Sequence, residues 1–232
     1  MLTKHLQEKQ KKLQQNSDFY TPGGLHIYFK DPLLNDEINV ERVIGRVEGT
    51  LPEHLLDEVE MIIIGHFDEF DEYSVNAFYD GAAIYISNIQ DDEDDMYDDV
   101  VHEVSHSIES PHGFVIYGDE KIKNEFMHKR KRLHDILWAR GFKAPLSFFR
   151  DLEYNKEFDE FLHKKVGYDK LANLLVGLFI SPYAATSLRE YFATGFTDYY
   201  VHSDRNLLKK VSPELYKKLS LIQKPESLDN TN

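Results

Sequence analysis

Residues 98–109 read "DDVVHEVSHSIE", and two histidines four apart place a strong demand on that stretch. His102 and His106 reach one ion together only if the segment is an α-helix, where residues four apart share a face. The apolar residues agree with that demand. Val100, Val101, Val104 and Ile108 recur at helical spacing and give the segment a side to bury. Seven acidic residues from Asp91 to Asp99 lead into its histidines. Carboxylates in a first turn favour a helix N-terminus, so they mark a helix start with a solvated face. An acidic rim there also favours basic substrates.

His102-Glu103-x-x-His106 is a HExxH pattern, and its chemistry accounts for its spacing. Two imidazoles bind a zinc ion, and the glutamate beside the first one takes a proton from a water on that ion. A catalytic zinc needs a third protein ligand. Two residues are candidates. His112 follows His106 at the spacing of the metzincin pattern HExxHxxGxxH, but Glu109 stands where that pattern has its turning glycine. Met127 lies inside a predicted helix and makes no methionine turn. The other candidate is Glu190, in "SPYAATSLREYFATGFTDYYVHS", residues 181–203.

"HEVSHSIE" followed by a tyrosine seven residues before "EYFATGF" (190–196) resembles the catalytic domain of anthrax lethal factor and its relatives. That resemblance implies a zincin-like α+β fold, with a small mixed sheet, an edge strand over the active-site helix and a mostly helical C-terminal half. It implies a zinc metalloendopeptidase with one Zn2+ per chain, held by His102, His106 and Glu190. Glu103 is then the general base, and Tyr183 the hydroxyl that stabilises the oxyanion. An extended polypeptide substrate would pair with the strand Ala82–Ser87. The second acidic position of the family's helix is Thr194 here, and Glu109, one turn after His106, is the carboxylate placed to take part of its role. His112 stays the alternative third ligand. The reading from a different class is a non-catalytic binding or assembly protein on the same scaffold, and an intact Glu103 argues against it.

The remainder of the chain sets limits. With 232 residues, 41% hydrophobic and 13% aromatic, it can bury one substantial core. A net charge of −14 disfavours nucleic acid and anionic membranes and favours basic segments in a partner. The absence of cysteine removes disulfides and thiolate sites. No signal peptide or membrane span is expected: the longest apolar run, Leu171–Ile180, is too short to cross a bilayer and reads as a buried helix. Such a chain would work in the cytoplasm or in association with a larger particle or delivery system.

The expected organisation is a helical segment over 1–24, one catalytic domain over 25–222 and a flexible tail over 223–232. Strands are expected at Leu25–Lys30, Asn39–Gly49 and Met61–Phe67, with a helix at Leu51–Glu60. Asp80–Gly81 should turn a hairpin between Ser74 and Ser87. Beyond Gly118 the pattern is helical: residues 119–141, with Ile122, Phe126, Leu133 and Leu137 inward and Gly141 as a stop, then 146–165, 168–180, 184–201 and 213–222. "HKRKR" (128–132) reads as a solvated face, with an acidic partner as the other reading.

Overall fold

The computed structural model describes residues 18–73, 75–202 and 205–228; residues 1–17 of the helical segment expected over 1–24 lie outside them. The fold is mixed α+β. It divides into two compact units at Ile108/Glu109, a boundary that falls inside one continuous helix.

The first unit holds a five-stranded sheet: β1 (Phe19–Tyr20), β2 (His26–Phe29), β3 (Met61–Gly65), β4 (Ala77–Asp80) and β5 (Ala83–Ser87). Their order is β1-β2-β3-β5-β4. β2, β3 and β5 are parallel, and β1 and β4 run antiparallel at the two edges. Strand alternation sends Ile27, Ile62, Ile64, Ile84 and Ile86 to one fully buried face. The strand expected at the edge, Ala82–Ser87, is therefore interior, and β4 holds the edge.

The hairpin forms one residue later than expected. Asp80 pairs with Ala83, so Gly81 and Ala82 make the turn, with φ of 57° and 67°. The stack of Phe78 on Tyr85, at 4.5 Å, belongs to the same register. Side-chain pairing across the strands thus outweighs the cost of a left-handed alanine.

Two segments exchange their expected roles. The segment Asn39–Gly49, read as a strand, lies instead in α1 (Val40–Thr50) and its cap. Val40, Val43, Ile44 and Val47 recur at helical spacing and are buried, and Asn39 caps the helix by accepting from the Arg42 N–H at 2.9 Å. β-Branched content suggested a strand, and the burial pattern overrides it. Leu51–Glu60, read as a helix, holds only a 3-10 turn at Glu53–Leu55. A short helix, α2 (Asp68–Tyr73), follows β3. The long helix α3 spans Glu93–Tyr117. Its acidic start is solvated as expected, with Asp91, Asp92 and Asp94 exposed; Asp92 Oδ1 accepts from the Asp94 and Asp95 N–H groups at 2.9 Å each, and Arg42 and Arg46 pair with Glu93 and Asp94.

The second unit is helical. α4 (Lys121–Ala139) buries Ile122, Phe126, Leu133 and Leu137 as expected, and Gly141, with φ of 84°, ends it. The expected helix at 146–165 shrinks to α5 (Lys156–Glu160) and a π-helical stretch at Phe161–Val166. α6 (Tyr168–Leu174) stops well before Ile180, and Gly177 turns the chain at φ 75°. A 3-10 turn at Tyr183–Ala185 leads to α7 (Leu188–Val201). α8 (Asn206–Val211), which sequence pattern missed, and α9 (Pro213–Ile222) complete the unit. α7 and α9 approach closely at Gly195, where a Cβ would stand 2.3 Å from Leu215 Cδ2. No helix of the described residues is long and apolar enough to cross a membrane.

"HKRKR" is only in part the solvated face it was read as: His128, Lys131 and Arg132 are exposed. Lys129 and Arg130 are buried. Arg130 donates to the carbonyls of Ala185 at 2.8 Å, Thr186 at 3.0 Å and Phe148, and Lys129 donates to Ser212 Oγ at 2.7 Å. Burial holds the Arg130 guanidinium down at about 9 and the Lys129 amine at about 8. Both side chains are long enough to bury charge among aromatic rings while their donors find oxygen.

Because Ala82 sits in a left-handed conformation that glycine adopts freely, Ala82→Gly should stabilise the protein by about 1 kcal/mol. Urea unfolding at equal slope measures it.

Candidate metal centre

α3 displays the motif as its spacing requires. His102 and His106 are half-buried, with ring centroids 5.1 Å apart. Glu103 between them is buried at 6% exposure. The two serines of the segment are fully buried, yet each hydroxyl returns to its own helix: Ser105 Oγ to the His102 carbonyl at 2.6 Å, Ser107 Oγ to the Val104 carbonyl at 2.8 Å. One turn before Glu103, Asp99 accepts from the Gln90 amide at 3.2 Å. Burial pushes its carboxyl up to about 7, against the Gln90 hydrogen bond.

Glu190 comes from the first turn of α7. Ser187 caps this helix, its Oγ accepting from the Glu190 N–H at 3.1 Å. The turn before it is held by Arg130, whose guanidinium binds the carbonyls of Ala185 and Thr186. Tyr183 opens that 3-10 turn, half-buried, with its carbonyl accepting from the Thr186 hydroxyl at 2.8 Å.

His102, His106 and Glu190 each offer one ligand atom, and the three atoms lie within 4.8 Å of one another. His112 does not join them. α3 continues past it to Tyr117, through Pro111, so no turn swings His112 back. It stands six residues along a continuing helix, about 120° around and about 9 Å up from His106.

The donor set suits a metal ion. Two imidazoles and one carboxylate, in a chain without cysteine, are the borderline nitrogen and oxygen donors that zinc accepts. Ligand atoms of a tetrahedral zinc shell stand about 3.3 Å apart. A small inward shift of side chains closes the present group to that size, and three protein ligands leave a position open.

Glu109 was expected to lend the histidines a carboxylate in place of Thr194. It is buried, and it accepts from Arg189 Nε at 2.9 Å and from the Tyr117 hydroxyl. Burial first, then the Glu109 carboxylate, raise the Tyr117 hydroxyl far above its ordinary value, so it stays a donor. Sequence reading missed Arg189 and Tyr117. The signal was present: Arg189 precedes Glu190, and Glu109 follows His106 by three residues.

No protein-family model matches this chain, and no curated protein and no solved structure matches it either.

Replacing Glu190 by Ala should weaken binding of a divalent metal ion by more than about a hundredfold, beyond the effect of losing an outer hydrogen bond, whereas His112→Ala should leave it unchanged. Competition with a chromogenic chelator reads both.

Proposed function

We propose that the chain is a zinc metalloendopeptidase of zincin type, related in its site to the lethal factor catalytic domain. The observation that carries this reading is the convergence of His102, His106 and Glu190 ligand atoms within 4.8 Å, with Glu103 buried on the same helix. Zinc, when bound, supplies a Lewis acid that brings the pKa of a coordinated water towards neutrality and polarises a carbonyl.

The chain's own groups do the rest. Glu103 takes the proton of the attacking water and passes it to the leaving amine, as a general base and then acid. The Tyr183 hydroxyl donates to the oxyanion of the tetrahedral intermediate. The substrate chain adds to the open side of β4 (77–80), the edge strand, in place of Ala82–Ser87. Acidity sets its composition: residues 18–108 hold 23 acidic and three basic side chains, which favours basic segments in the substrate.

Glu103→Gln should cut turnover of a peptide library by about 10²–10⁴-fold while bound zinc stays at one per chain. Equal cleavage by that variant removes Glu103 from its role. Stoichiometric zinc without cleavage by wild type points instead to the binding or assembly protein.

A further inference from the structure

Three contacts inside the second unit tie the end of α3 to the start of α7. Glu109 accepts from Arg189 Nε at 2.9 Å. The Tyr117 hydroxyl donates to the same carboxylate, and the Tyr117 ring lies 6.0 Å from Phe192. Glu109 stands one turn beyond His106 on one unbroken helix, and Arg189 is the residue before Glu190. We infer that the Glu109–Arg189 ion pair, seated on Tyr117, is a positioning clamp that delivers the Glu190 carboxylate to the two histidines. This rests on the metal-site reading above.

The physical need is clear. Two ligands come from neighbouring turns of one helix and are placed by its geometry. The third arrives from a helix far along the chain, with nothing in α3's own backbone to fix it. A ligand misplaced by about an ångström loses much of its value, and groups outside the coordination shell are what hold it. An exposed ion pair contributes little to stability. This pair is different at one end: the Glu109 side chain is 7% exposed, whereas that of Arg189 is 57% exposed. A buried carboxylate must keep its donors, so it fixes Arg189, and through one peptide unit it fixes Glu190. Arg189 also sits within electrostatic reach of both Glu109 and Glu190, so one cation offsets two like charges that would otherwise push α7 away.

The role differs from a merely stabilising one in what it moves. The full chain is compared as wild type, Arg189→Leu, Arg189→Lys, Glu109→Gln and Glu190→Gln. Zinc affinity is read by chelator competition, the visible absorption of bound cobalt(II) serves as a probe of ligand geometry, and circular dichroism confirms folding. Arg189→Leu and Glu109→Gln should each weaken zinc by about 10–100-fold and alter the cobalt spectrum. Arg189→Lys, which keeps the charge, should recover most of the loss. The double variant Glu109→Gln with Arg189→Leu should lose no more than the worse single one.

If Arg189→Leu binds zinc within about twofold of wild type while Glu190→Gln does not, the clamp is overturned and the site stands. A loss that Arg189→Lys fails to recover also overturns it, since packing and not charge is then responsible. If wild type binds no zinc, or Glu190→Gln binds as wild type does, the site itself falls and the clamp with it. Should Glu109→Gln not fold, the two Arg189 variants, altered at the exposed end, carry the test alone.

Discussion

Helix α3 does not stop where a proline and a run of small polar residues invite it to. That continuity, from Glu93 to Tyr117, is the constraint on which the rest of the site depends. It sets His102 and His106 on one face. It also carries Glu109 one turn further, where Arg189 meets it, and keeps His112 turned away. A helix ending at Glu109 would have left His112 free to fold back. Of the third histidine and the distant glutamate, it is the glutamate whose ligand atom lies within 4.8 Å of those of His102 and His106. Buried serine hydroxyls that bond within the helix, at Ser105 and Ser107, let the segment carry polar residues through the core without loose donors.

The buried cations among the described residues of the helical unit follow one rule. Each cation that leaves water is met by fixed oxygens: Arg130 by three backbone carbonyls, Lys129 by Ser212, Lys218 by the Val115 carbonyl at 2.6 Å and by Asp119. Arg130 has a particular consequence, because two of its carbonyls belong to the turn that holds Tyr183 and enters α7. Tyr191 works the same way, donating to Glu125 at 2.8 Å, while Glu125 also accepts from the N–H of Glu214 at the start of α9. Polar contacts between α4, α7 and α9 therefore fix the helix that carries Glu190, and the apolar contact at Gly195 and Leu215 closes it.

Much of the site was legible in the sequence because it depends on local spacing. His102, Glu103 and His106 follow from helical period, and the inward face of α4 follows from Ile122, Phe126, Leu133 and Leu137. What failed depends on partners far along the chain. Val40, Val43, Ile44 and Val47 carry a helical period, yet their β-branched side chains suggested a strand. The hairpin turn moved by one residue because cross-strand stacking of Phe78 on Tyr85 outranks local turn preference. Lys129 and Arg130 look like a solvated pair in "HKRKR", and only tertiary carbonyls reveal them as interior. Arg189 was legible only as the neighbour of Glu190, since its partner Glu109 lies 80 residues earlier.

The central claim is that one ion is shared by His102, His106 and Glu190. X-ray absorption at the zinc edge of the zinc-loaded full chain tests it most directly. Two imidazole nitrogens and carboxylate or water oxygens are expected at about 2.0–2.1 Å, with the carboxylate contribution lost on Glu190→Gln. A shell of three imidazoles, or one unchanged when Glu190 is replaced, would contradict it.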